Sequence, residues 1–141
     1  MTPEERFERF EEWLGYMPEA LEKWMENLPS DLRDQLDYSI ESLGKLEEWL
    51  IAEFPDARSA VGGDNFEIGD GAARYVGETL RKSLGGTWDM DVSDPNGIVF
   101  GVPSMRGFPK GGPPVVPLRL VVNALDERNG DYITSIAANL H

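Results

Sequence analysis

Gly71-Ala-Ala-Arg-Tyr-Val-Gly-Glu-Thr-Leu-Arg-Lys-Ser-Leu84, followed by Gly85-Gly-Thr-Trp-Asp-Met-Asp-Val92, is the stretch in which the pattern of the chain changes. Up to Leu84 the apolar residues Ala72, Ala73, Val76, Leu80 and Leu84 recur at helical spacing with Tyr75 beside them, which predicts a helix over 71–84. Gly85-Gly86 ends it. Trp88, Met90 and Val92 then alternate with Asp89 and Asp91, the period of a strand with one wet face. A helix interior disfavours glycine by about 1 kcal/mol against alanine, so Gly77 marks a place where another element comes close. Glu78 lies one turn from Arg74 and from Lys82, within reach of an ion pair with either.

Towards the N-terminus the pattern is helical. Thr2-Pro3-Glu4-Glu5 is a capping box with proline in the first turn, and Phe7, Phe10, Trp13 and Leu14 make one apolar face. Pro18 opens a second helix with Leu21, Trp24, Met25 and Leu28 inward, and Pro29 ends it. Ser30 or Asp31 caps a third, carrying Leu32, Leu36, Ile40, Leu43, Leu46, Leu50, Ile51 and Phe54. Gly44 and two serines weaken this run, so two shorter helices parted near Tyr38–Glu41 are the alternative. Residues 56–70 read as a loop, with Asp70 capping the helix that follows.

Towards the C-terminus, Asp94-Pro95-Asn96-Gly97 fits a type I turn, and Ile98–Val102 reads as the return strand of a hairpin over 87–102. Residues 103–114 are rich in proline and glycine and read as a loop. Val115-Val116 suits a short strand. Leu118–Leu125 reads as a strand or a helix, with helix favoured, and Asp131 caps a last helix burying Ile133, Ile136, Ala137 and Leu140. The expected fold class is α+β: a helical N-terminal half packed on a small antiparallel sheet with C-terminal helices. A two-stranded ribbon is marginal alone, so helices must cover it. The expectation is one domain over 1–141, with an acidic helical part (1–55) and an α+β part (56–141).

Charge is uneven. The net formal charge is −13, and residues 1–56 hold 16 acids against 5 bases while residues 57–141 hold 10 against 8. Such a surface repels phosphates and anionic lipid, so neither nucleic acid nor membrane is an expected partner. A basic protein suits it; a merely solvated face is the plainer reading. No apolar run reaches the length of a membrane span, and the acidic opening is unlike a secretory signal, so the expected location is the cytoplasm.

Chemistry is sparse. There is no cysteine, which excludes disulfides and thiolate catalysis, and the sole histidine is His141. Gly69-Asp70-Gly71 has neither dinucleotide spacing nor a phosphate-loop lysine. Asp89–Gly97 is rich in oxygen donors, but an EF-hand counted from Asp89 would need glycine at Asp94 and glutamate at Phe100. No catalytic residue, metal site or cofactor is expected. The four tryptophans read as core, with Trp49 off its helix's main stripe and best placed for an interface.

Two stretches carry a resemblance: Leu36-Asp37-Tyr38-Ser39-Ile40-Glu41-Ser42-Leu43 with Leu46-Glu47, and Ala73-Arg74-Tyr75-Val76-Gly77-Glu78-Thr79-Leu80 through Gly85-Gly86 to Trp88. Together they resemble a broad set of small bacterial domains, some of which look like immunity proteins of toxin systems. The resemblance implies an α+β fold and an immunity-type inhibitor, and the acidic helical half makes a basic partner the expected one. In that reading Glu4, Glu8, Glu11, Glu12 and Trp49 are the candidate contacts. The other reading is a regulatory domain binding a small molecule or anion between the Gly71–Leu84 helix and the hairpin, under loop 103–114, where Arg106 and Lys110 lie. Arg74, Tyr75, Glu78 and Trp88 then form either a structural polar cluster or part of that ligand site, and the structural role is favoured.

Overall fold

The computed structural model describes Met1–His141. The helices are α1 (Pro3–Gly15), α2 (Met17–Glu26), α3 (Ser30–Arg33), α4 (Ile40–Glu53), α5 (Ala57–Val61), α6 (Phe66–Leu84), α7 (Pro117–Glu127) and α8 (Tyr132–Leu140). β1 (Thr87–Asp89) and β2 (Ser104–Arg106) form a two-stranded antiparallel sheet. The α+β class therefore holds.

The fold is built around α6. Every residue from Gly71 to Leu80 is buried, so this helix is enclosed on all sides. It packs against α2, α4, α5, α7 and β1. Small residues make that possible. A Cβ on Gly71 would come within 2.1 Å of the Trp24 ring, and one on Gly77 within 2.1 Å of the Trp88 ring. Gly77 is thus the close approach its helical position predicts. Gly85 takes φ +87° and closes the helix in the left-handed conformation that suits glycine. A single apolar cluster joins Leu21 and Trp24 of α2, Leu43, Leu46 and Leu50 of α4, Val76 and Leu80 of α6, Val121 and Leu125 of α7, and Ile133 of α8.

Four sequence expectations are corrected. The run from Ser30 to Phe54 is two helices, as the alternative had it, with the break at residues 34–39. Tyr38 there has φ +64°, a conformation costly for an aromatic residue. It is held in place because its N–H donates to the Tyr75 hydroxyl at 2.9 Å and Ser83 Oγ donates to its carbonyl at 3.0 Å. Ser39 then caps α4 by accepting from Ser42 N–H. Second, residues 56–70 are not a loop. Asp56 accepts from Ser59 N–H at 2.8 Å and starts α5, a 3₁₀ turn covers Gly63–Asn65, and α6 begins at Phe66. Asp70 consequently lies inside α6 and caps nothing.

Third, β1 pairs with 104–106 rather than 98–102, in the register Thr87 to Arg106, Trp88 to Met105 and Asp89 to Ser104. The Asp91 carboxylate takes the N–H groups of Ser93 and Asp94, so local side-chain bonds replace a ladder directly after β1. The turn at Asp94–Gly97 forms, closed by Gly97 N–H to Asp94 carbonyl at 2.9 Å. Yet Phe100 only bridges Asp91, and the chain becomes antiparallel to β1 at Ser104. Fourth, residues 103–114 hold β2 and bury Met105 and Phe108, the latter seated on Gly86. Val115 adds a single antiparallel bridge to Met105, and 117–127 is helical as favoured.

The last helix is anchored from a distance. Glu47 is fully buried, and its carboxylate accepts from Tyr132 N–H at 3.0 Å and Ile133 N–H at 2.8 Å, the free donors at the start of α8. Arg128 returns the favour for α4, donating to the carbonyls of Ile51 and Phe54.

Candidate functional site

Two regions hold most of the residues singled out by sequence; Trp49, Arg106 and Lys110 lie outside them. The first is a polar seam along α6. Arg74 is buried. Its Nε donates to Asp70 Oδ2 at 2.7 Å and its Nη1 to the Trp13 carbonyl at 2.8 Å, with the guanidinium 4.1 Å from the Trp13 ring centre. Trp13 Nε1 closes the circuit by donating to Asp70 Oδ1 at 2.9 Å. Both Asp70 oxygens are thereby occupied, and the C-terminal end of α1 is fastened to α6.

One turn on, Glu78 pairs with Arg81 in two bonds of 3.0 Å and accepts from Trp88 Nε1 at 2.8 Å. The partners expected from spacing, Arg74 and Lys82, are thus replaced by Arg81 and the indole. Arg74 is already taken by Asp70, while Lys82 Nζ stands 4.0 Å over the Tyr38 ring. Burial of Glu78 opposes its charge, but the Arg81 guanidinium and the Trp88 N–H outweigh it and hold the carboxyl below its ordinary value. Trp13 and Trp88 meet edge to face at 4.9 Å, which joins the two halves of the seam.

Tyr75 belongs to a third knot. Its hydroxyl lies 2.6 Å from Ser42 Oγ. The Ser42 hydrogen goes to the Ser39 carbonyl, so Tyr75 donates to Ser42 and accepts from Tyr38 N–H. Burial raises its phenol above the ordinary range. The two stretches that carried the resemblance therefore pack on each other, through Tyr38 and Ser42 against Tyr75. In all three knots each charge or hydroxyl has its partner. That is how a structural cluster is built.

The second region is the surface of α1 and the cleft beside it. Glu4, Glu8, Glu11 and Glu12 share one solvent-facing stripe of α1, all exposed and none in an ion pair. Phe7 (38% exposed) and Tyr16 (49%) flank them. Trp49 does not join this face. It is half-buried on α4, with its ring edge-on to Phe54 at 6.0 Å. Between α1, α6, β1 and the start of α7 lies an open cleft of about 430 Å³. Trp13, Trp88 and Met90 line it, with Phe66 (64% exposed) and Leu118 at its edge. Arg6 and Arg9 of α1 also line it.

Arg106 and Lys110 lie elsewhere. Arg106 is exposed and paired with Asp89 across the sheet, and Lys110 is exposed beyond β2. Neither lines this cleft; Arg106 lines a separate, more polar recess of about 450 Å³ with Asp89, Ser104 and Pro114, and Phe108 packs on Gly86. Sequence reasoning missed Asp70 as the partner of Arg74, although their four-residue spacing was readable, and it missed Arg6 and Arg9. The bonds of Trp13, Tyr38 and Ser42 to α6 cross 30 or more positions and leave no local signal. No family model matches the chain, nor does any curated protein or solved structure. No helix is long and apolar enough to cross a membrane.

Proposed function

We propose that the chain is a non-enzymatic protein-binding module, of the immunity-inhibitor kind, that takes a basic partner on the outer face of α1. One observation carries this reading. Four carboxylates stand in a row, unpaired and exposed, with Phe7 and Tyr16 on either side. Unpaired charges of one sign steer association, while aromatic groups supply affinity once desolvated. The alternative reading, a small-molecule or anion-binding domain with its site under 103–114, draws on a separate recess of about 450 Å³ lined by Asp89, Ser104, Arg106 and Pro114.

The test is capture from a lysate of the source organism at low salt, run in parallel with wild type and with Glu4→Lys, Glu8→Lys, Glu11→Lys and Glu12→Lys combined. A stoichiometric basic protein held by wild type and lost by the reversal supports the reading. Equal capture by both variants, or an acidic partner, overturns it.

A further inference from the structure

We propose that the cleft between α1, α6 and β1 is a binding site for a small amphipathic carboxylate. Its apolar body would lie on Trp13, Trp88 and Met90, and its anionic head would be held by Arg6 and Arg9. The cleft volume, about 430 Å³, falls among small-ligand sites of roughly 300–1,000 Å³. Its lining is mainly apolar and aromatic, with Arg6 and Arg9 of α1 and Asp70 of α6 as its charged groups, the usual division between binding and orientation.

Charge decides the ligand class. The first 56 residues hold 16 acids, yet neither Arg6 nor Arg9 forms an ion pair with any of them. The two are three positions apart and so share a side of α1. Arg6 is oriented by the Phe100 ring, 4.9 Å from its guanidinium carbon. The one carboxylate in the cleft wall, Asp70, is already bound through both oxygens to Trp13 and Arg74. Two free guanidinium groups beside an apolar floor match a carboxylate on an apolar body, because the planar fork pairs with both oxygens. An apolar cation has no counterpart here.

Octanoate and 1-octanol share a chain and differ in the head, so the pair isolates the role of the arginines. The measurement is a proton–nitrogen NMR titration of the full chain, read at the indole N–H resonances of Trp13 and Trp88. Wild type is expected to show saturable shifts with octanoate and at least tenfold weaker binding of 1-octanol. Arg6→Ala with Arg9→Ala should bring octanoate down to the level of 1-octanol and leave 1-octanol unchanged. Arg9→Ala alone, which spares the contact with Phe100, should give a partial loss. Absence of saturable octanoate shifts, equal affinity for the two probes in wild type, or octanoate binding untouched by the double substitution overturns the proposal. The four-glutamate reversal leaves the cleft intact and should still bind octanoate, so failure of the protein-partner reading is distinguishable from failure here.

Discussion

The seam along α6 and the outer surface of α1 are both rich in charge, and they use it in opposite ways. Along α6, Asp70, Arg74, Glu78 and Arg81 are all paired, and the indoles of Trp13 and Trp88 complete the bonding. On α1, Glu4, Glu8, Glu11, Glu12, Arg6 and Arg9 have no ion-pair partner. Removing one member of a buried pair strands the other and is costly, whereas exposed charges contribute little to folding. Paired charge here is architecture, and the unpaired charge of α1 is what the proposed recognition would draw on.

The largest expected effect lies in the seam. Arg74→Ala leaves Asp70 with the Trp13 indole alone and takes the guanidinium from the Trp13 carbonyl, and should lower stability by about 3 kcal/mol in denaturant titration. Because Arg74 fastens the end of α1, amide exchange should quicken across that helix more than elsewhere. Unchanged protection of α1 would break the link between the two regions.

Gly77→Ala comes next. Alanine gains about 1 kcal/mol of helix propensity. The Trp88 ring, however, stands where the new methyl would go, and it is held there by Glu78. Overpacking should prevail, with a net loss of about 2 kcal/mol by thermal or chemical unfolding. A more stable variant would show that the ring moves freely and that the Trp88–Glu78 bond is not a constraint.

A smaller effect is expected from pH. The folded Glu78 carboxyl lies below its ordinary value, so the unfolded chain takes up the proton first as pH falls. The stability it contributes is present in full above the ordinary value of 4.5 and is lost as pH drops through the folded value. Glu78→Gln should therefore melt below wild type at pH 7, and the gap should narrow below pH 4.5. A gap of constant width would mean that the Arg81 and Trp88 bonds do not depend on the charge.

The sequence disclosed what is local. The capping box at Thr2–Glu5, the face of α1, the end of α6 at Gly85 and the turn at Asp94–Gly97 were all readable within a few residues. The core of α6 was readable as well, and so was the meaning of Gly77. What failed was set by distant contacts or by competing local bonds. Tyr38 accepts an unfavourable backbone because α6, some 40 residues later, holds it there. The return strand moved to 104–106 because Asp91 turned the chain before Ile98 could pair. Of the candidate site, the exposed glutamates were visible as a helical stripe. The cleft was not, because its walls come from α1, α6, β1 and α7, which meet only in the folded chain.

The most direct measurement is the association rate of the captured partner with wild type and with the four-glutamate reversal, across a range of ionic strength. Steering by the α1 stripe requires a wild-type rate that falls steeply with salt, and a reversal that is at least tenfold slower at low salt and nearly insensitive to it. Equal rates and equal salt dependence for the two proteins would contradict recognition through the unpaired carboxylates of α1.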